Sequence, residues 1–395
     1  MKRWLIPLLV IFLSVSVAFA RQGTTKKTRT EKKLSQKTEK SKKQKEQEEP
    51  YKAVLVAEAS TGKIIEENNI HLRWPPASIT KLMVAYIVME KVNRGEVRLT
   101  DRITISGSAS KMGGSQVYLK EGESFNLEEL MKAMLVASAN DAAYAIAEFI
   151  SGTKEEFLRL MNEKTKAMNM ADTEFHSVHG LPPSEGEKED LTSCHDLLIL
   201  SQTLLKYPEV LMWTSIKTDS FRNGQLVMNN HNRLLQRMDQ VDGLKTGYYK
   251  KSGYNIVATA KKGDLRLIVV VLGSPTARIR DGIVLESLKK VFAQYEMIMV
   301  IKKGDEIDKE ILLPQGKEPK LKGITAEAFS YLVPRAKKGV IRKAIHLPEK
   351  MEGEISKGQK LGEVTITLEN EVIGKVDIIS PNHIPKAGII KRLFR

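Results

Sequence analysis

Ser78 and Lys81 stand three residues apart in the stretch PPASITKLM, residues 75–83, and residues at that spacing on a helix share a face. A serine hydroxyl is a poor nucleophile until an adjacent base takes its proton. A lysine can be that base only if desolvation or a second cation leaves its amine neutral. The surrounding residues are apolar, where an unpartnered ammonium is costly. Taken alone the pair is a weak signal, because a Lys81 turned outward would be an ordinary solvated residue.

Two later triplets change its weight. Ser138-Ala139-Asn140 places polar groups in the middle of an apolar helical run, a costly arrangement unless they face a cleft. The Asn140 amide can orient both a lysine and a substrate amide, and the Ser138 hydroxyl can relay a proton. Lys245-Thr246-Gly247 opens a strand: Lys245 offers a fixed positive charge, Thr246 a hydroxyl for a carboxylate, and Gly247 a close approach of substrate backbone. Together, in the order S-x-x-K, S-x-N and K-T-G, these form one acyl-transfer constellation.

The elements that must carry the constellation follow from periodicity. AVLVAEASTGKIIEENN reads as a hairpin about Ser60-Thr61-Gly62. Helical period predicts a helix from Ser78 to Lys91, with Leu82, Ala85 and Met89 on one face, and a central helix from Leu127 to Ile150. Further helices are predicted over Glu155–Met168, Asp196–Leu205 and Asp281–Phe292. The β-rich runs YNIVATAKK and LRLIVVVLGS are joined at Gly263-Asp264 as a second hairpin. Strands flanking a helical middle predict an α+β fold, an antiparallel sheet with helices on its faces and an inserted all-helical subdomain. A catalytic domain is therefore expected over 51–294. From Tyr295, short strand-like runs and turn signals predict a small all-β domain over 295–380. The tail, 381–395, sets Ile389, Ile390, Leu393 and Phe394 beside Lys386, Lys391, Arg392 and Arg395, a pattern that suits contact with a membrane surface.

The N-terminal end reads differently. Residues 1–20 have Lys2 and Arg3, an apolar run and Ala18-Phe19-Ala20, the layout of a cleaved secretory signal peptide. Residues 21–50 carry eleven Lys or Arg against five Glu, with Leu34 as the one aliphatic residue, and predict a disordered Lys-rich linker. The formal net charge is +15. In an exported chain that excess suits anionic wall polymer or lipid headgroups, or simple solubility, and not nucleic acid. Cys194 is the single cysteine, so no intramolecular disulfide can form. His176 and His179, in HSVH, lack further ligand spacing for zinc, and no metal or other cofactor is called for. The expected location is the periplasm or the outer face of the cytoplasmic membrane.

With PPASITKLM, SAN and VDGLKTGY, together with HGL at His179–Leu181 and NRLL at Asn232–Leu235, the chain resembles the low-molecular-mass penicillin-binding proteins of the 5/6 type. These act as serine-type D-alanyl-D-alanine carboxypeptidases. The resemblance runs from Ala53 to the C-terminus and includes the second β domain. It implies Ser78 as acyl-forming nucleophile, Lys81 as general base, and Ser138 and Asn140 as proton shuttle and substrate positioner. It further implies that Lys245, Thr246, Gly247 and Arg233 receive the substrate, its terminal carboxylate above all. The backbone N–H groups of Ser78 and Tyr248 would form the oxyanion hole. Implied partners are peptidoglycan stem pentapeptides as substrate and β-lactams as covalent inhibitors. Ser177 departs from the asparagine common in the family, and the middle triplet is S-A-N where β-lactamases carry S-D-N. A D,D-endopeptidase, a β-lactamase and a non-catalytic wall-binding protein of the same fold remain as alternatives. The appended β domain and the absence of a Glu-x-x-x-Asn segment between Asn140 and Lys245 weigh against the β-lactamase. Intact motifs weigh against the scaffold.

Overall fold

The computed structural model describes residues 49–388. The expected signal peptide, the linker up to residue 48 and residues 389–395 of the tail lie outside the described residues.

Strands β1 (Ala53–Glu58) and β2 (Ile64–Asn68) open the chain as the expected hairpin. Two short pairs follow within the helical region, β3 (Arg102–Thr104) with β4 (Ser124–Asn126) and β5 (Thr218–Phe221) with β6 (Leu226–Asn229). Strands β7 (Val241–Tyr249), β8 (Gly253–Lys262) and β9 (Leu265–Ser274) complete an antiparallel sheet in the order β2-β1-β9-β8-β7. Successive strand residues point to opposite faces, and this sheet buries both. Ala53, Leu55, Val257, Ile268 and Val270 face one core, whereas Val54, Val56, Ala258, Leu267 and Val269 face the other. Near-continuous apolar runs such as LIVVVL are what burial on both faces requires.

The helices divide between those faces. They are α1 (Lys81–Asn93), α2 (Gly107–Ser110), α3 (Leu127–Val136), α4 (Asn140–Ser151), α5 (Lys154–Ala167), α6 (Cys194–Leu204), α7 (Pro208–Thr214) and α8 (Ala277–Gln294). Leu82, Met83 and Ile87 of α1 and Leu130, Met134 and Ile146 from α3 and α4 fill the first core. Val284, Leu288 and Val291 of α8 cover the opposite face. The α+β expectation holds.

The expected helix over 127–150 is two helices. Asn126 and Glu129 cap α3 reciprocally in a capping box, and α3 stops at Val136. Ser138 then adopts φ 60°, in the left-handed region, and Ala139 is extended. The apolar period runs on through this point, which is why the sequence reads as one helix. The freed amides find partners in the helix end and beyond it: Ala139 N–H donates to Ala133 O at 3.2 Å and Asn140 N–H to Ser115 O at 2.7 Å.

The C-terminal domain pairs β10 (Tyr295–Ile301) with β13 (Phe329–Pro334). It also forms a sheet in the order β11-β12-β16-β15-β14 from β11 (Glu306–Leu312), β12 (Lys320–Thr325), β14 (Ile341–His346), β15 (Lys360–Leu368) and β16 (Glu371–Ile379). Ile311, Val364, Ile366, Val376 and Ile378 are its core. Residues 381–388, expected as the start of a free tail, pack into this domain. Ile384 bridges to Ile355, Lys386 bridges to Gly316, and Ile384 and Ala387 are buried. Isolated bridges leave no period in a sequence, so the domain edge was not legible there. Among the described residues no helix is long and apolar enough to cross a membrane.

Candidate active site

Ser78 lies in a 3-10 turn, Ala77–Thr80, and α1 begins only at Lys81. The predicted helix start at Ser78 is thus one turn of tighter helix. Ala77 sits at φ 50°, a conformation costly for a non-glycine residue and typical of functional sites. Neighbouring strands hold the turn in place. Pro75 O accepts from Ser252 Oγ at 3.0 Å and from Asn255 Nδ2 at 2.9 Å, and Trp74 Nε1 donates to Ser252 O at 2.8 Å. Two glycines let backbone press against it from either side. A Cβ on Gly180 would fall 2.0 Å from Ala77 O, and one on Gly247 would fall 2.3 Å from Pro76 O and 3.1 Å from Ser78 N. Gly247 belongs to K-T-G, so the close approach expected of it toward substrate begins with the nucleophile turn itself.

Lys81 points inward and is fully buried. Its Nζ lies 2.9 Å from Ser78 Oγ, 2.7 Å from Asn140 Oδ1 and 2.6 Å from His179 O. Burial, and then the charge of Lys245, push its pKa well below that of a free lysine, while Asp190 and Asp141 pull the other way. This is the condition under which a lysine becomes a base.

Asn140 is clamped on both sides of its amide. Its Oδ1 meets Lys81, and its Nδ2 donates to Gly113 O at 2.7 Å. Asp141, also fully buried, accepts from the N–H groups of Val117 and Leu119, so α4 shapes the loop that carries Ser115 along the cleft. Ser138 is buried. Among the described residues no direct hydrogen bond joins its hydroxyl to Ser78 or Lys81. It lines the same cleft of ≈ 700 Å³, with Ser78, Arg233, Thr246, Tyr248 and Arg280 among the other lining residues.

Lys245 lies on the strand that carries the K-T-G triplet. It is buried on β7, its Nζ donates to Thr246 O at 3.0 Å, and burial followed by the nearby Arg280 cation push its pKa down to about 7. Arg280 is itself buried and paired with Asp281 at 2.6 Å. Tyr248 is exposed and stacks on Tyr254, with ring centroids 4.1 Å apart. Arg233 is exposed at the rim.

A site with this geometry can be compared with known proteins. The family model described as D-alanyl-D-alanine carboxypeptidase matches residues 38–276. The chain belongs to that family. A second model, penicillin-binding protein 5, C-terminal domain, matches residues 295–386, which takes in the segment beyond 380 that packs into the β domain. The D-alanyl-D-alanine carboxypeptidase DacF of Bacillus subtilis is 34% identical over 87% of this chain and 88% of its own. Penicillin-binding protein 5 from Haemophilus influenzae superimposes with a TM-score of 0.73 at 28% identity, over 85% of this chain and 98% of that one. Penicillin-binding protein D2 from Listeria monocytogenes, solved in an ampicillin-bound form, gives 0.56 at 30% identity over 61% of this chain and 96% of that one. The carboxypeptidase is a serine-type peptidase hydrolase.

Several residues that shape the carboxypeptidase site were not singled out from the sequence. Trp74, Ser252 and Asn255 anchor the nucleophile turn, Asp141 organises the Ser115 loop, and Arg280 acts on Lys245. A signal existed for two of them. Asn255 interrupts an apolar strand and Asp141 an apolar helix, positions where a polar residue must find partners.

Proposed function

We propose that Ser78 is the acyl-forming nucleophile and the neutral Lys81 amine its general base. The observation that carries this reading is the 2.9 Å contact between Ser78 Oγ and the buried Lys81 Nζ. The substrate is a peptidoglycan stem peptide ending in D-Ala-D-Ala. Its terminal carboxylate binds beside Thr246, Lys245 and Arg233. Lys81 takes the Ser78 proton as Oγ bonds to the penultimate D-Ala carbonyl carbon. The oxyanion so formed is stabilised by the N–H groups of Ser78 and Tyr248, which the close packing of Gly247 on the turn brings into one neighbourhood. The proton then passes by way of Ser138 to the leaving nitrogen, the C–N bond breaks, and free D-Ala departs. Water next attacks the ester and restores Ser78. Asn140 holds Lys81 with one end of its amide and positions substrate within the cleft.

β-Lactams acylate Ser78 by the same attack, as the ampicillin-bound relative suggests. The carboxypeptidase is exported by the signal at 1–20 and works in the periplasm or at the outer face of the cytoplasmic membrane. Contact with the membrane surface is made through the basic C-terminal tail, 381–395.

The test is D-Ala release from diacetyl-Lys-D-Ala-D-Ala, with labelled penicillin mapped by peptide digestion. Wild type should release D-Ala and carry the label on Ser78, and Ser78→Ala should do neither. Release that persists in Ser78→Ala, or label on another residue, overturns the assignment.

A further inference from the structure

Asp190 is a buried carboxylate, 6% exposed, that the catalytic cycle above does not use. Its Oδ1 accepts the backbone N–H groups of His176 at 2.6 Å and Ser177 at 2.8 Å. Its Oδ2 accepts Ser177 Oγ–H at 2.7 Å and Thr80 Oγ1–H at 2.9 Å. Four donors fill the acceptor sites of one carboxylate. Among the described residues no cation lies within ion-pairing distance of it.

Both partners lead to the same atom. Thr80 immediately precedes Lys81. Ser177 Oγ accepts the Gly180 N–H at 2.7 Å, which closes the 177–180 turn and aims His179 O at Lys81 Nζ, 2.6 Å away. A ring therefore runs from Lys81 through Thr80, Asp190, Ser177 and His179 back to Lys81. Ser177 Oγ is the link in that ring: it donates to Asp190 and accepts from Gly180.

The geometry points to Asp190 as the positioning residue of the general base: it holds the 176–180 turn so that the His179 carbonyl meets Lys81, and its unpaired charge sets how readily Lys81 gives up its proton. A carboxylate close to a buried amine favours the ammonium. Burial raises the pKa of Asp190 itself, and its four hydrogen bonds counter that rise. As a carboxylate it opposes burial and Lys245 at Lys81. It keeps the amine basic enough to accept a proton from serine, since a base works best with a pKa near the operating pH. The other charges acting on Lys81 are Lys245 on β7, in the opposite sense, and Asp141 on α4, in the same sense. Desolvation and neighbouring cations push the pKa of His179 down to about 3 and that of His231 down to about 4.

This inference rests on Lys81 being the base. The experiment is the second-order rate of labelled-penicillin acylation of the full chain as a function of pH. The rate rises through the pKa of Lys81 as the amine loses its proton. Asp190→Asn removes the charge and keeps the shape, so the rising limb should move down by about one pH unit. Ser177→Ala keeps the charge and loses the tie to Gly180, so it should lower the plateau by about tenfold with the limb in place. An unmoved limb in Asp190→Asn overturns the electrostatic half, whatever the plateau. An unchanged plateau in Ser177→Ala overturns the positioning half, and stands even if Asp190→Asn fails to fold. Failure of Lys81 as base would show separately, as normal acylation of Lys81→Ala.

Discussion

In the catalytic domain Lys81, Asp141, Asp190, Lys245, Arg280 and Asp281 are all nine-tenths or more buried, whereas the buried polar residues described in the β domain are Thr325 and Ser380. The β domain keeps its charges in the open: Lys322 pairs with Glu306 and Asp308, Lys360 with Asp377, and Lys375 with Glu363, all on the surface. Backbone strain is less cleanly divided. Ala77 and Ser138, at φ 50° and 60°, line the site, but Asn69, Asn169, Arg222 and Asn223 of the same domain, like Glu369 of the β domain, have positive φ in ordinary turns. Burying a charge costs several kcal/mol unless its partners are well placed, and exposed ion pairs contribute about 0–1 kcal/mol. One region spends stability on a poised lysine, and the other is an ordinary apolar core with a solvated surface.

The largest expected effect breaks the catalytic side of that contrast through backbone alone. Gly180→Ala adds a methyl 2.0 Å from Ala77 O at φ 78°. It should destabilise the fold by about 1–3 kcal/mol and cut penicillin acylation by about a hundredfold, as read by thermal melting and gel labelling. A glycine tolerated as alanine there would mean that the 180 turn does not pin the nucleophile.

A smaller effect sharpens the cost of buried charge. The folded-state pKa of Lys245, about 7, lies below that of the unfolded chain. Between about pH 7 and pH 10 the unfolded state therefore binds the extra proton. Stability should rise with pH across that window by about 1 kcal/mol per unit from this group. Lys245→Met should flatten that part of the slope, as followed by denaturant melts at several pH values. An equal slope in both proteins would show that Lys245 is not desolvated. The smallest effect lies in the β domain: Lys322→Ala should leave the melting temperature and D-Ala release unchanged. A clear drop in melting would place that surface pair among the contributors to stability.

What the sequence revealed follows the same division. Ser78, Lys81, Ser138, Asn140, Lys245 and Thr246 were legible because their types and order are unusual in apolar surroundings, and the structure gathers them about one cleft. The flanking strands were legible from period 2 and the Gly263-Asp264 turn. The break after Val136 was not, because a left-handed Ser138 costs energy locally, offset in part by the hydrogen bond that Asn140 N–H gives to Ser115 O, far away in sequence. Asp190 was equally silent, since GEKEDL reads as a solvated charged loop until Thr80 and Ser177 are seen to meet in space. The lowered pKa of Lys245 depends on burial depth and on Arg280, neither of which a K-T-G triplet records. The run of Ile384 and Ala387 into the β domain was hidden for want of any period.

The central claim, that burial makes Lys81 the base for Ser78, is tested most directly by labelled-penicillin acylation of Lys81→Ala beside its thermal melt. No Ser78 acylation above background, in a protein that still folds, is the predicted result. Acylation at the wild-type rate would contradict it.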